Sequence, residues 1–194
     1  TPYMISNLKM YGQTRLIGGG MDQAILKRIG GSTGIALREY TSAEGNPAGG
    51  TGLWIKDIQI DGDGTTGTGL NIGNQVANAQ LNFCSGLENV HVRDFVGTGM
   101  VINQNAASCK YLWSNTNTVG IETAGGSGSY FGVWAEDNTS YDLDVGSSGD
   151  SFFHIHSEGG GTKSVPNIRI SGNQDNFYGI DISLAGNRDH LIDI

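Results

Sequence analysis

The chain has 194 residues, of which 32 are glycine and only 15% are charged, and its formal net charge is −8. Glycine without a strict three-residue period excludes a collagen-like chain, and this composition excludes a coiled coil. No apolar run approaches the ~20 residues of a membrane span, and an acidic surface repels phosphate groups. We therefore expect no nucleic-acid partner and no membrane insertion, and we expect one domain over residues 1–194.

The first 50 residues predict irregular first turns followed by a loop. Residues 5–12, 14–20 and 24–28 are plausible short strands, although Met21 to Ile29 could instead form a short helix. Residues 41–52 are rich in Gly, Asn, Ser and Thr and predict a loop. Residues 53–194 predict regular turns, with an insertion at 159–166.

A short alternating segment recurs along the chain with a period near 22 residues. Its apolar anchors are spaced by 32, 22, 21 and 22 residues and are Ile58, Val90, Leu112, Val133 and Ile155. A second alternating segment falls between these copies, with spacings of 30, 21, 22 and 25 residues, and its anchors are Leu70, Met100, Ile121, Leu143 and Ile168. Two independent series that agree on one period indicate a repeat architecture.

Alternation with period 2 indicates strands, and the repeat leaves no room for crossover helices between them. The fold predicted is therefore all-β, a parallel β-helix with about 22 residues per turn. Glycine and asparagine would supply its left-handed corners, for example in residues 97–99, 125–128 and 146–149. The last residues, 191–194, predict a strand rather than a cap, so we expect a piece of a longer coil or an end covered by another subunit.

The opening segment Arg15–Gly20, followed by Asp22–Lys27, resembles the start of right-handed β-helices of the pectate-lyase-like superfamily. That superfamily includes bacteriophage tailspikes and capsular depolymerases. The resemblance implies a right-handed coil that binds or cuts polysaccharide, a homotrimer, and a location in a virion tail or outside the cell. One fold hosts many activities, so the chemistry must be argued from the site.

The repeat predicts which residues lie side by side on the outer surface. If the first anchor series points inward, the residue after each anchor points outward and forms an aromatic column: Gln59, His91, Trp113, Trp134 and His156. The residue three after each anchor forms a polar column: Asp61, Arg93, Asn115, Glu136 and Glu158. Neighbouring strands lie about 4.8 Å apart, so side chains of adjacent turns would touch.

This surface suggests sugar binding and cleavage. Indole rings suit the apolar C–H faces of sugars, so Trp113 and Trp134 would form a platform, with the histidines, Arg93 and Asn115 as further substrate contacts. Paired carboxylates supply the acid and the nucleophile or base of glycoside cleavage, and Glu136 and Glu158 would lie near the retaining distance. Asp137 would widen the pair to the inverting distance.

Other interpretations of the same residues stay open. A slip of one residue would place both tryptophans in the core, although Phe131, Ala135, Phe153 and Ser157 share the inward phase proposed here. The tryptophans would otherwise pack against another subunit, and the glutamates would be solvated surface charges.

Several weaker motifs favour structural roles. The second series predicts another outward column, read as a surface charge network or a second glycan groove: Asn71, Val101, Glu122, Asp144 and Arg169. Residues 61–64 predict a tight turn rather than a calcium loop. His154 and His156 lack an obvious third metal ligand, so no metal site is predicted. Cys84 and Cys109 are interpreted as buried thiols.

Three functions follow from these patterns. The first is a tailspike-like depolymerase of a bacterial surface glycan, a glycoside hydrolase that needs no cofactor. The second is a glycan-binding or structural module without catalysis. The third is a uronic-acid lyase or epimerase, which would need calcium and a basic residue; Arg93 is the only cation in the polar column and Lys110 is the nearest lysine.

Overall fold

A computed structural model describes residues 1–11, 13–30, 34–39, 53–73, 86–103, 105–159, 165–184 and 192–194. Within these ranges there is no helix, and Met21 to Ile29 contribute a strand instead. The strands are β1 (Tyr3–Ile5), β2 (Leu8–Met10), β3 (Arg15–Ile17), β4 (Ile25–Arg28), β5 (Ile35–Glu39), β6 (Trp54–Thr66), β7 (Thr68–Ile72), β8 (Gly86–Val96), β9 (Thr98–Ile102), β10 (Ser108–Asn115), β11 (Val119–Thr123), β12 (Ser129–Glu136), β13 (Leu143–Val145), β14 (Ser151–Gly159), β15 (Ile168–Ile170), β16 (Asn176–Leu184) and β17 (Ile192–Asp193).

The strands form two all-parallel sheets that the chain visits in alternation. Sheet A has the order β1-β4-β6-β8-β10-β12-β14-β16, with β3 also paired to β6, and sheet B has the order β17-β15-β13-β11-β9-β7-β5-β2. Each turn therefore lays one strand on each sheet of the turn before. A third side is marked by single bridges that join Asn105, Gly126, Ser148 and Asn173. The protein is a right-handed parallel β-helix, as the repeat and the resemblance predicted.

The register of both sheets matches the repeat. In sheet A, Ile58 pairs with Val90, and the line continues through Leu112, Val133 and Ile155. In sheet B the second anchor series pairs in the same way, from Leu70 to Ile168. All ten anchors are buried. The inward phase of both series is therefore confirmed.

One column of left-handed residues bends every long strand of sheet A at the same place. Its members have φ angles between 54° and 70° and are Asp57, Asn89, Tyr111, Gly132, His154 and Gly179. Such a residue shifts the alternation of side chains by one position, as a bulge does. We call this line the corner column.

The corner column overturns the expectation that Phe131 and Phe153 point inward. Phe131 is 40% exposed and stacks on Phe153 outside the coil, with ring centroids 4.6 Å apart. Tyr130 and Phe152 are buried in their place, and their rings stack at 4.6 Å inside the coil. The prediction was wrong because it continued strict alternation across a left-handed residue.

Buried side-chain hydrogen bonds link successive turns along one edge of the core. Asn117 Oδ1 accepts from the Phe95 backbone amide, and Asn138 Oδ1 accepts from the Asn117 amide, each at 3.0 Å. Asn138 also donates to Asp142 at 3.0 Å, and Asp142 accepts from Ser157 at 2.7 Å. These bonds satisfy backbone and side-chain polar groups that burial would otherwise leave unpaired. We call this set the buried amide ladder.

Several predictions concern segments at or beyond the edges of the described residues. The loop at 41–52 and Cys84 lie outside them, as do residues 160–164 of the predicted insertion. Cys109 is a free, buried cysteine, and burial raises its pKa to about 12. The tight turn predicted at 61–64 is instead an irregularity within β6, where the pairing with β8 shifts register between Asp61 and Thr65 and the Asp63 amide donates to Asp61 Oδ1 at 2.9 Å. Among the described residues, no helix is long and apolar enough to cross a membrane.

Candidate functional site

The outer face of sheet A carries the two columns that the repeat predicts. In register from strand to strand, Gln59 is followed by His91, Trp113, Trp134 and His156, and Asp61 is followed by Arg93, Asn115, Glu136 and Glu158. The next strand, β16, adds Asp181 beside His156. The alignment is confirmed, but the members of the columns differ in exposure and in their partners.

The first members of the aromatic column are packed rather than open. His91 is only 4% exposed and stacks on Trp113, with ring centroids 4.3 Å apart and an interplanar angle of 9°. Its Nε2 donates to Asn115 Oδ1 at 2.7 Å, and burial lowers its pKa. The expectation that His91 offers an exposed ring to substrate was therefore wrong. His91 therefore supports the Trp113 ring by stacking, and it holds Asn115 in place through the hydrogen bond.

Trp134 is the open ring of the column, with 42% of its surface exposed. It lies 6.1 Å from the His156 ring at an angle of 37°. A groove of about 430 Å³ opens beside it, and the lining residues are Met21, Asn89, Tyr111, Leu112, Trp113, Trp134 and Glu136. An exposed indole at the side of an open groove is suited to contact with an apolar ligand face.

Glu136, His156, Glu158 and Asp181 form a compact cluster at the edge of this groove. His156 Nε2 lies 3.4 Å from Glu158 Oε2 and 3.9 Å from Glu136 Oε1. Its Nδ1 lies 3.2 Å from Asp181 Oδ2. One imidazole therefore faces three carboxylates from three successive strands.

Glu136 is the acid of the cluster with a perturbed pKa. Burial raises its pKa most, the charge of His156 lowers it, and repulsion from Glu158 raises it again. The Trp113 indole N–H lies near the Glu136 carboxylate and favours the charged form of that acid. The indole nitrogen is buried, and it has no well-formed hydrogen bond among the described residues. Glu136 therefore keeps its proton to higher pH than an ordinary glutamate, as a general acid must.

The remaining predicted site residues lie around the cluster with different partners. Arg93 pairs with Asp61 at 3.0 Å and with Asp94 at 3.4 Å, so its charge is directed away from the glutamates. Asp137 is exposed at a left-handed corner with φ 52°, directly after Glu136. The roles assigned to these residues stay predictions.

One group of side chains has the spacing of a metal site. The donor atoms of Glu136, His156 and Glu158 all lie within 4.8 Å of one another. Both ring nitrogens of His156 already face carboxylates, so the imidazole and the acids contact one another directly. His154, the other histidine of this strand, lies in the corner column and is not part of the group.

Tyr111 and Asp181 belong to the site and were missed from the sequence. Asp181 lies 25 residues after His156 and is the next member of the aromatic column, so the repeat itself could have identified it. Tyr111 precedes an anchor directly, and strict alternation gives such a residue an outward direction but no special role. Its place at the groove follows from the corner column.

The second outward column is built as a charge network. Arg169 donates to Asp144 through Nε at 2.8 Å and through Nη2, and its guanidinium lies 4.5 Å from the Tyr141 ring centroid. Burial raises the pKa of Glu122, and the adjacent Asp144 raises it further. This arrangement agrees with the structural interpretation of the column.

No protein-family model and no curated protein matches the chain, whereas solved structures do. The match to sacteLam55A from Streptomyces sp. SirexAA-E has a TM-score of 0.76 at 16% identity and covers 96% of this chain and 38% of that one. The enzymatically active domain of bacteriophage CBA120 tailspike protein 2 matches with a TM-score of 0.74 at 16% identity, covering 93% and 30%. The fold is that of these parallel β-helices.

A further match is the A-module of mannuronan C-5 epimerase AlgE6 from Azotobacter vinelandii, with a TM-score of 0.59 at 15% identity, covering 98% of this chain and 67% of that one. At these identities the matches establish the β-helix alone. The chain spans less than half the length of the Streptomyces and phage proteins.

Proposed function

We propose that this β-helix binds and hydrolyses a bacterial surface polysaccharide, as a tailspike-like depolymerase would. The proposal rests on one observation: Glu136 and Glu158 project from neighbouring turns with carboxylate oxygens within 4.8 Å, beside a groove lined by aromatic rings. Retaining glycosidases hold their two carboxyl groups about 5 Å apart. The likeness in fold to a phage tailspike domain supports the same class of activity.

We assign the two acids different roles on the basis of their burial. Glu136 is partly buried at the groove and has a raised pKa, so it donates its proton to the glycosidic oxygen as that bond breaks. Glu158 is the more exposed acid, and its carboxylate attacks the anomeric carbon to form a glycosyl-enzyme ester. Water, deprotonated by Glu136, then cleaves that ester, which restores both groups. Asp137 is the alternative base if the product is inverted.

The charges around the groove favour a neutral glycan. Three carboxylates surround His156, and no lysine or arginine lines the groove among the described residues. Anionic sugars would be repelled by this surface. Lyase or epimerase chemistry on uronic acids is therefore less well supported, because Arg93 is already paired with Asp61 and Asp94.

The direct test compares Glu136→Gln and Glu158→Gln with Glu122→Gln on a panel of neutral glucans, capsular polysaccharides and mannuronan. Glu122 is a matched control because it is also a partly buried glutamate with a raised pKa, but it lies on sheet B. We expect the first two variants to release reducing ends at least about 100-fold more slowly, and the control to match the unmodified chain. Full activity in either site variant would overturn the assignment.

A binding module without catalysis is the second candidate, and the position of His156 favours it. Its Nε2 lies between the two glutamates and is hydrogen-bonded to Glu158, which leaves less room for a glycosidic oxygen. Retention of a polysaccharide without reducing ends, in a chain whose Trp134→Ala variant loses retention, would establish this candidate instead.

The assembly and location proposed are a homotrimer in a virion tail or outside the cell. The support is the likeness to a phage tailspike domain, together with an exposed aromatic stack on sheet A formed by Phe131, Phe153 and Tyr178. Analytical ultracentrifugation of the chain measures the assembly directly. A monomer at micromolar concentration would contradict the trimer for this chain.

A further inference from the structure

Tyr111 has a backbone conformation that its side chain does not favour. Most positions of the corner column hold residues that tolerate the left-handed region: Asp57, Asn89, Gly132, His154 and Gly179. Tyr111 is the exception, since a bulky aromatic residue at φ 54° is a true outlier. Strain of this kind persists where the surroundings require it, and it concentrates at functional sites.

The core does not explain why a tyrosine stands there. Tyr111 is 60% exposed, so its ring contributes little to the packed interior. The same corner one turn earlier is formed by Asn89, and one turn later by Gly132, which shows that neither a ring nor any side chain is needed to make the bend. The tyrosine therefore serves something outside the coil.

Gly132 lies between the rings of Tyr111 and Trp134, and both rings come close to its backbone. A Cβ atom at Gly132 would lie 3.1 Å from Cδ1 of Tyr111 and 3.5 Å from Cζ3 of Trp134. Both rings thus border Gly132, and both line the groove that also reaches Glu136. Two exposed aromatic rings next to an acid form an apolar wall of the groove.

We propose that Tyr111 is a substrate-binding residue that, with Trp134, forms an aromatic wall against which a neutral polysaccharide lies beside Glu136. The apolar C–H faces of the sugar rings lie against the indole and the phenol. The inference rests on the proposed function, since it names a subsite of the same groove. The strained backbone is retained because the ring contributes to binding.

If Tyr111 is kept for binding, its replacement by asparagine should lower the affinity for polysaccharide without lowering the stability of the fold. Asparagine adopts the left-handed region more readily than tyrosine, so Tyr111→Asn relieves the backbone while it removes the ring. A residue kept for the fold would lose stability on this change. A residue kept for binding loses affinity while the thermal midpoint stays equal or rises.

The experiment measures binding and stability of the same variants of the full chain. Binding is followed by isothermal titration in the Glu136→Gln background, with the polysaccharide that the panel of glucans, capsular polysaccharides and mannuronan identifies. The variants are Tyr111→Asn, Tyr111→Phe and Trp134→Ala. Tyr3→Asn is the matched control, because Tyr3 is also an exposed tyrosine of sheet A, 69% exposed, but it does not line the groove.

We expect Tyr111→Asn and Trp134→Ala each to weaken binding by about tenfold, while Tyr111→Phe and Tyr3→Asn stay within about twofold of the unmodified chain. We expect the thermal midpoint of Tyr111→Asn to be equal to or above that of the unmodified chain. Unchanged affinity in Tyr111→Asn with a loss in Trp134→Ala would overturn the role of Tyr111 alone. A lowered thermal midpoint in Tyr111→Asn would also overturn it, while the absence of binding to every polysaccharide would overturn the proposed function as well.

Discussion

The outer faces of the two sheets each carry a pair of acids on neighbouring turns, and the two pairs differ in the side chain that faces them. On sheet B, Glu122 lies beside Asp144, and Arg169 makes two hydrogen bonds to Asp144. On sheet A, Glu136 lies beside Glu158, and the facing side chain is the imidazole of His156. Arginine stays charged at all ordinary pH values, whereas histidine changes charge near neutrality.

This difference explains why the same pattern has different uses. A permanent, bidentate partner neutralises Asp144, so that acid is held in an ion pair. On sheet A the acids share a weaker partner and adjoin a groove, so one can hold a proton while the other stays charged. Two acids at strand spacing thus become a candidate site only where the counter-charge is weak and a ligand has room.

The largest difference in stability should appear when each cation is removed. Arg169→Gln leaves the buried Asp144 without its partner, so we expect the free energy of unfolding to fall by about 1–2 kcal/mol. His156→Gln leaves more exposed acids behind and should change it by less than about 1 kcal/mol. Urea unfolding followed by tryptophan fluorescence measures both. Equal losses would show that the two pairs are held alike.

A smaller effect is expected on the pH dependence of hydrolysis. The charge of His156 lowers the pKa of Glu136, so His156→Gln should raise that pKa. The general acid would then stay protonated to higher pH, and the alkaline limb of kcat/KM would move upward. His154→Gln is the control, because His154 lies on the same strand but outside the cluster. An alkaline limb that does not move would contradict the assignment of Glu136 as the acid.

The smallest effect concerns stability as a function of pH. Burial raises the folded pKa of Glu136 and of Glu122 above the ordinary value of 4.5, so each favours folding in its protonated form. That stability is fully present below about pH 4.5 and is lost as pH rises through the raised pKa. Between about pH 4 and pH 7, we expect Glu136→Gln and Glu122→Gln each to have a higher thermal midpoint than the unmodified chain. This gain should be smaller than the loss of thermal midpoint in Arg169→Gln. The reverse trend would show that the glutamates are stabilised as anions.

The period of the repeat was predictable because two apolar series recorded it independently. Packing in a coil makes every anchor meet its equivalents above and below, so the phase of Leu112 or Val133 is fixed by many neighbours at once. The same reasoning identified the acid pair, since Glu136 and Glu158 follow equivalent anchors at the same distance.

The local bend inside each strand of sheet A was not predictable from these patterns. Left-handed backbone was expected at glycine and asparagine, but Tyr111 and His154 adopt it because the strands on either side pair with bent neighbours. Tertiary pairing overrides local preference there, and it turned Phe131 outward. The burial of His91 could not be predicted from the sequence either, because its stacking on Trp113 and its hydrogen bond to Asn115 depend on the assembled sheet.

The buried amide ladder also limits how such a chain can be cut or shortened. Each asparagine in it accepts from an amide of the turn before its own, so ending the chain between two of these turns would leave a buried amide without its acceptor. A protease that cleaves an outer loop would release no fragment, because the cleaved turn stays hydrogen-bonded to its neighbours. The stretch from Phe95 to Ser157 should therefore behave mechanically as one body.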